Sequence, residues 1–268
     1  MAAASSLDQI GPIAKNIEDV KILFNAIAGH DADDSTSLPD EKISSANPKK
    51  IGVPRAFLKE GIDPDVLAAF ETTLKGLEGV GYEIVDVELP SLKYALAAYY
   101  IINPAEVSTN LARYDGVRYG HSEKGETITD VYKKSRATGF GPETRRRILV
   151  GTFVLSAGYA DAFYRKARAA REVIRADFAQ TFGSVDAIVL PTSPIPPWKI
   201  GEKADPVALY AADIFTVPLN LAGLPGISVP SGSVERDGKK LPTGFQIIAP
   251  SRGEETLFTI GKSVEGFA

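Results

Sequence analysis

Charged residues in apolar surroundings suggest a site that binds an amino acid: one of the three consecutive arginines Arg145, Arg146 and Arg147, together with Asp213. Arg147 ends a run of three arginines and is followed directly by Ile148-Leu149-Val150, so one arginine can point inward, where it requires a carboxylate partner. Asp213 has apolar neighbours on both sides, and such an acid is rarely fully buried unless it is paired. An arginine and an aspartate can together hold a zwitterion, because a guanidinium binds a carboxylate bidentately and a carboxylate binds an ammonium.

Each of these residues also has a purely structural interpretation. The arginines can form a solvated helix face, and Asp213 can be an ordinary exposed acid on a helix. Tyr99 and Tyr100 lie in an apolar stretch, and aromatic side chains in such stretches usually supply packing area. The residue types alone therefore leave both a binding site and an ordinary folded surface open.

The sequence contains none of the common local catalytic motifs. It has no P-loop, no G-x-G-x-x-G after a strand, no H-E-x-x-H, no G-x-S-x-G and no S-x-x-K. Because it has no cysteine, disulfides, zinc–thiolate sites, iron–sulfur clusters and a cysteine nucleophile are excluded. Only His30 and His121 are present and they lie far apart, so we expect no metal site in this chain.

The composition is that of a globular protein, with 268 residues of which 44% are hydrophobic and 24% are charged. Thirty basic and 34 acidic residues give a formal charge of -4, which argues against a dedicated nucleic-acid binder but allows a subunit whose partner holds the nucleic acid. We see no signal peptide and no apolar stretch of membrane-spanning length. We therefore expect a cytoplasmic protein that does not enter a membrane.

Helical and strand patterns alternate along the chain, which predicts an α/β fold with a mixed sheet flanked by helices. We assign residues 1–268 to a single domain. Helices are predicted over 17–29, 63–79, 91–113, 142–182, 206–221 and 254–267. Strands are predicted over 51–53, 82–89, 186–190, 226–229 and 244–248, with a turn at 236–238 between the last two. Pro104 is expected to kink its helix, and the long helix is expected to break near Gly151 or Gly158.

Several segments resemble one branch of the amidase-signature family. They include Ser-Ser-Leu-Asp-Gln-Ile-Gly-Pro at 5–12, Asn-Leu-Ala-Arg-Tyr-Asp-Gly-Val-Arg-Tyr-Gly at 110–120 and Asn-Leu-Ala-Gly-Leu-Pro-Gly-Ile-Ser-Val-Pro at 220–230. The second segment is typical of the A subunits of bacterial amidotransferases that act on Glu-tRNA(Gln) or Asp-tRNA(Asn). The chain looks like the C-terminal portion of such an amidase-signature domain.

This resemblance implies a glutaminase subunit of a heterotrimeric enzyme. Such a subunit hydrolyses glutamine and passes the ammonia to a partner subunit that holds the misacylated tRNA. The resemblance places ATP and Mg²⁺ in that partner, so we expect no cofactor in this chain and only indirect contact with tRNA. A segment of another amidase-signature amide hydrolase and a non-catalytic partner-binding fragment are the alternative interpretations.

The catalytic groups of the family are a lysine and two serines in a Gly/Ser-rich region upstream of Ser-Ser-Leu-Asp-Gln. The present sequence contains no Gly-Gly dipeptide, so we expect that region to be missing and the chain alone to be inactive. A shortened chain, a split gene product and a gene fragment all fit this expectation. By the resemblance, Ser5 and Ser6 are structural and are not the catalytic serines.

The resemblance assigns glutamine binding to three residues. Tyr99 matches the first tyrosine of the family's Tyr-Tyr-Val-Ile, Arg147 matches the last arginine of Arg-Arg-Ile, and Asp213 matches the acid of Tyr-Ala-x-Asp. We expect the tips of Arg147 and Asp213 to lie about 6–9 Å apart in one cleft, each within hydrogen-bonding reach of one end of the amino acid. Asn103-Pro104 is a departure, because many relatives carry small residues there.

Overall fold

The computed structural model shows that the chain forms two compact units. The structure describes residues 2–39, 47–202 and 206–267, without the side chains of 206–208. The first unit comprises Met1–Asp8 and Ala97–Val173, and the second comprises Gln9–Leu96 and Ile174–Ala268. Among the described residues, no helix is long and apolar enough to cross a membrane. The assignment of the chain to a single domain stays a prediction.

The second unit is built on a mixed sheet, which confirms the predicted α/β class. In the described part of the chain its strands are β1 (Lys50–Val53), β2 (Glu83–Asp86), β3 (Ala187–Pro191), β4 (Gly226–Arg236) and β5 (Lys239–Ile248). The strand order is β2-β1-β3-β5-β4. β1 is parallel to β2 and β3, whereas β5 is antiparallel to β3 and β4.

The helices follow the predicted pattern, including the expected break in the long helix, with two differences. They are α1 (Ile17–Ile27), α2 (Pro64–Gly79), α3 (Ala95–Asn110), α4 (Ile128–Gly139), α5 (Pro142–Val154), α6 (Arg165–Thr181), α7 (Pro206–Ala211), α8 (Val217–Ala222) and α9 (Glu254–Glu265). The predicted long helix is broken around Gly158, which has a φ of 84°, and a π-helical turn precedes α6. The predicted helix over 206–221 is two short helices, because turns occupy residues 212–216.

The second difference is α4, which the apolar pattern did not predict. Its sequence is mostly polar, so no apolar stripe marks it. Its start is instead fixed by a capping box, in which the side chains of Thr127 and Asp130 each accept the other's backbone N–H. The signal was therefore present in the Thr-x-x-Asp spacing.

The core of the second unit is the centre of the sheet. β3 is buried along its whole length, as expected for an apolar strand with neighbours on both edges. Phe70 of α2 stacks on Phe245 of β5 with ring centroids 5.1 Å apart, and Phe24 of α1 meets Phe258 of α9 edge to face at 5.7 Å. α2 and α9 therefore cover the sheet, and α1 packs against α9.

The turn between β4 and β5 has the geometry that its sequence predicts. Asp237 and Gly238 both have positive φ, at 52° and 70°, which is the type I′ turn that Asp-Gly favours. Arg236, which precedes the turn, donates hydrogen bonds to Asp63 and Asp65 at the start of α2. This contact lowers the pKa of Asp63, chiefly through the hydrogen bond from the Arg236 guanidinium, and it ties the hairpin to α2.

In the first unit, α3 and α5 touch backbone to backbone. A Cβ atom at Gly151 of α5 would lie 1.8 Å from the carbonyl oxygen of Pro104 in α3, so only glycine fits this crossing. α3 continues through Pro104, although a proline has no N–H to donate to the helix. The close approach sets the distance between the two helices that carry Tyr99 and Arg147.

Candidate functional site

Arg147 lies on α5 and points toward α3. Its Nε donates a hydrogen bond to Oε1 of Glu143 at 2.9 Å, and its Nη1 donates to Oδ1 of Asn103 at 3.0 Å. Of the three consecutive arginines, it alone is half-buried, while Arg145 and Arg146 are exposed. Glu143 is thus the carboxylate partner that an inward-pointing arginine requires.

Asn103 links Arg147 to Tyr99. It is 7% exposed, and its Nδ2 donates a hydrogen bond of 3.4 Å to the hydroxyl of Tyr99, one helical turn earlier on α3. In the sequence this residue stood out only as a departure from the family pattern, and its role as a link was missed. The available signal was an amide placed among apolar residues at i+4 from a tyrosine, a spacing that puts both side chains on one helix face.

Tyr99 is both a packing residue and a polar one. Its ring meets that of Tyr100 edge to face, with centroids 5.2 Å apart and an interplanar angle of 85°. Its side chain is half-buried, so the ring packs while the hydroxyl receives the hydrogen bond from Asn103. The structural interpretation of this residue and the functional one are therefore compatible.

The charges around Arg147 leave a net positive site. Glu143 forms ion pairs with both Arg146 and Arg147, so two guanidinium groups share a single carboxylate. One positive charge in this cluster is not neutralised by Glu143, and it favours an anion beside Arg147.

Asp213 belongs to the second unit and lies in the turns between α7 and α8. Its backbone carbonyl accepts hydrogen bonds from the N–H groups of Thr216 and Val217 at 3.0 and 3.1 Å, which fixes the start of α8. Its side chain is half-buried. The structure thus brings Tyr99 and Arg147 together within the first unit, and the placement of Asp213 opposite Arg147 stays a prediction.

Ser5 and Ser6 are held in a hydrogen-bond network of the first unit. Ser5 Oγ accepts a hydrogen bond of 2.8 Å from Asn110. Ser6 Oγ accepts one of 2.6 Å from Arg171 and donates one of 2.5 Å to Glu106. These partners fit the structural role that we expect for both serines.

Metal ligands are not clustered in the part of the chain that the structure describes. No group of three or more histidine, aspartate or glutamate residues in that part could hold a metal ion.

Comparison with known proteins places the chain among amidases. Residues 1–258 match the Amidase family model. The A subunit of glutamyl-tRNA(Gln) amidotransferase from Azorhizobium caulinodans is 50% identical, over 99% of this chain and 55% of that protein. The protein of the same name from Koribacter versatilis is 48% identical, over 99% of this chain and 56% of that protein.

A solved structure gives the same result. The crystal structure of the A subunit of glutamyl-tRNA(Gln) amidotransferase from Thermotoga maritima superposes with a TM-score of 0.75 and 38% identity, covering 98% of this chain and 54% of that one. The present chain therefore spans about half the length of the curated relatives that it matches. On the match of the family model over almost all of its residues, the chain belongs to the amidase family.

Proposed function

We propose that this chain carries the glutamine-recognition part of the glutaminase subunit of a tRNA-dependent amidotransferase. The observation that carries the proposal is the hydrogen-bonded set Arg147–Asn103–Tyr99, which holds a partly unneutralised guanidinium next to a tyrosine hydroxyl. The names of the relatives, each the A subunit of a glutamyl-tRNA(Gln) amidotransferase, support the same function.

In this proposal each group on glutamine has its own partner. Arg147 binds the α-carboxylate through the N–H groups that Glu143 and Asn103 do not use. Asp213 binds the α-ammonium, and the hydroxyl of Tyr99 donates a hydrogen bond to the substrate. An arginine–aspartate pair of this kind selects an α-amino acid over a simple amide, because only the amino acid offers both charges.

The chemistry requires groups that these residues do not supply. Hydrolysis of the side-chain amide consumes water and releases glutamate and ammonia. By the family resemblance, two serines and a lysine upstream of the Ser5-Ser6 segment carry out that step. In the proposal the ammonia passes to a partner subunit that holds ATP, Mg²⁺ and the charged tRNA, so this chain contacts tRNA only indirectly. The cytoplasmic location is part of the same proposal.

The test compares three amides with a completed subunit, which we define as these 268 residues joined to a family catalytic region and assembled with the partner subunits. Ammonia release is measured from glutamine, from 4-aminobutanamide, which lacks the α-carboxylate, and from glutaramate, which lacks the α-ammonium. We expect kcat/KM for glutamine to exceed that for either analogue by about 100-fold or more, since each loses a charged contact. Equal kcat/KM for all three amides would contradict the proposal.

A further inference from the structure

Asn103 is the residue whose placement the family resemblance does not explain. It is buried, with 7% of its surface exposed, and both ends of its amide are used. The oxygen accepts from Arg147 at 3.0 Å and the nitrogen donates to the hydroxyl of Tyr99 at 3.4 Å. A buried amide is stable only when its donors and acceptors are matched in this way.

The neighbours of Asn103 fix which way its amide points. A guanidinium offers only N–H donors, so the amide oxygen must face Arg147. The amide nitrogen then necessarily faces Tyr99, because the reverse orientation would set N–H groups of Asn103 against those of Arg147. Through Asn103, Arg147 thus determines that the Tyr99 hydroxyl faces the amide nitrogen and not the amide oxygen.

This orientation has a consequence for the proton of Tyr99. The hydroxyl oxygen receives an N–H from Asn103, so its own proton is not needed for that contact. A phenol can both accept and donate, and the proton of Tyr99 is left for another acceptor. Asn103 therefore presets the tyrosine as a hydrogen-bond donor.

The same contact restrains Arg147. Glu143 holds Nε and Asn103 holds Nη1, so the planar guanidinium is fixed on two sides. These are its only two partners within the described parts of the chain, so three of its five N–H bonds are left over. A group held in this way loses little conformational entropy when it binds a carboxylate.

We propose that Asn103 is a positioning residue that orients both Arg147 and the Tyr99 hydroxyl toward glutamine. The inference rests on the proposed function and adds a residue to it. Asn103 acts through its two neighbours and does not itself touch the substrate. The glycine crossing supports the role, because Gly151 lies one turn after Arg147 and contacts Pro104, the residue next to Asn103.

The first experiment replaces Asn103 in the completed subunit, whose glutaminase kinetics are then measured. We expect Asn103→Ala to raise KM for glutamine roughly tenfold, with kcat changed less than about threefold, because the lost hydrogen bonds act on binding. The matched control is Asn110→Ala on the same helix. Asn110 is also buried and hydrogen-bonded, but its partners are Ala3 and Ser5. The KM of the Asn110→Ala enzyme for glutamine should therefore stay within about twofold of that of the unchanged enzyme.

The second measurement separates positioning from general destabilisation. Inhibition constants are determined for glutamate, a product-like ligand with the α-carboxylate, and for 4-aminobutanamide, which lacks it. We expect Asn103→Ala to raise the inhibition constant of glutamate roughly tenfold and that of 4-aminobutanamide less than about threefold, because the analogue has no carboxylate for Arg147 to bind. Equal weakening of both ligands would overturn the inference.

A near-isosteric variant covers the case in which Asn103→Ala fails to fold. Asn103→Asp keeps an acceptor for Arg147 but has no N–H for Tyr99, so the tyrosine proton turns toward the new carboxylate. We expect a KM increase of at least about tenfold. This increase should be smaller in a Tyr99→Phe background, because the part that acts through the hydroxyl is gone, whereas the part that comes from the new carboxylate beside Arg147 stays.

The outcomes distinguish this inference from the proposed function. If Arg147→Lys and Tyr99→Phe raise KM while Asn103→Ala or Asn103→Asp leaves it unchanged, the proposed function stands and the role of Asn103 is overturned. If all of these variants leave KM for glutamine unchanged, the proposed function and the inference fail together.

Discussion

Arg147 Nη1 and Asn103 Oδ1 are joined by a hydrogen bond of 3.0 Å although 44 residues separate them in the sequence. The contact depends on the crossing of α3 and α5, where Gly151 lets the two backbones touch. The same hydrogen bond continues to Tyr99 through the other end of the amide. Two residues assigned to glutamine binding are therefore connected by a third that was not.

Arg147→Lys should impair glutamine binding even though the positive charge is kept. A lysine has no planar fork and cannot hold Glu143, Asn103 and a carboxylate at once. We expect KM for glutamine to rise about 30-fold in the completed subunit, measured by ammonia release.

The matched control for this change is Arg146→Lys. Arg146 also pairs with Glu143, but its side chain is 51% exposed and it does not contact Asn103. We expect it to change KM by less than about twofold, since exposed ion pairs contribute little. Similar effects of the two substitutions would argue that only the charge of the cluster matters.

Gly151→Ala should destabilise the first unit. The added methyl group would lie 1.8 Å from the Pro104 carbonyl oxygen, so α5 must move away from α3. We expect the free energy of unfolding to fall by about 3 kcal/mol in urea titrations. Gly79→Ala is the control, because this helical glycine has nothing within 4 Å of the added atom. If Gly79→Ala lowered the free energy of unfolding as much as Gly151→Ala, the steric explanation would be contradicted.

Asp63 should contribute stability that depends on pH. Hydrogen bonding from Arg236 lowers the pKa of Asp63 in the folded protein relative to that of an unfolded aspartate, which is about 3.9. The contribution is present in full above the unfolded pKa and is lost as the pH falls through the folded one. Asp63→Asn keeps the helix cap, so the difference in unfolding free energy between the two proteins should be constant from about pH 7 to 5 and shrink below about pH 4.

The control for Asp63 is Asp65→Asn. Asp65 also binds Arg236, but its side chain is 60% exposed, so removing its charge should cost less than about 0.5 kcal/mol. Unfolding is followed in urea at each pH. A difference between Asp63→Asn and the unchanged chain that stayed constant down to pH 2 would show that the charge of Asp63 plays no part.

A polypeptide of these 268 residues alone should hydrolyse glutamine no faster than buffer. Loss of a nucleophile–base set typically lowers kcat on the order of 10⁶-fold, and the family resemblance places that set outside these residues. The measurement is ammonia release by the purified polypeptide over hours. Turnover that disappears on changing a residue such as Ser6 to alanine would refute the assignment of the catalytic groups.

Much of the sheet could be predicted because its signals are local. The apolar residues of β1 and β3 mark buried strands, and the Asp237-Gly238 pair specifies its turn through positive φ angles. α4 was missed because it has no apolar stripe. The break before α8 was missed because the residues between α7 and α8 are mostly apolar and contain neither glycine nor proline, so they do not differ from the residues of a buried helix.

The site was predictable only residue by residue. Asp213 and the run of arginines at 145–147 could be singled out because charges in apolar surroundings require partners, and only the family resemblance chose Arg147 from that run. The role of Asn103 could not, since it arises from the packing of α3 against α5, and no local pattern encodes a contact across 44 residues. The partner Glu143 was within reach of sequence reasoning, because it lies four residues before Arg147 and such pairs meet on a helix.

The most direct test of the central claim is a crystal structure of the completed subunit with bound glutamine. We predict that a guanidinium nitrogen of Arg147 lies about 3 Å from the α-carboxylate of glutamine, and a carboxylate oxygen of Asp213 about 3 Å from its ammonium. The Tyr99 hydroxyl should lie within hydrogen-bonding distance of the same ligand. Glutamine bound elsewhere, or Arg147 and Asp213 more than about 15 Å apart, would contradict it, because two groups that far apart cannot hold one amino acid.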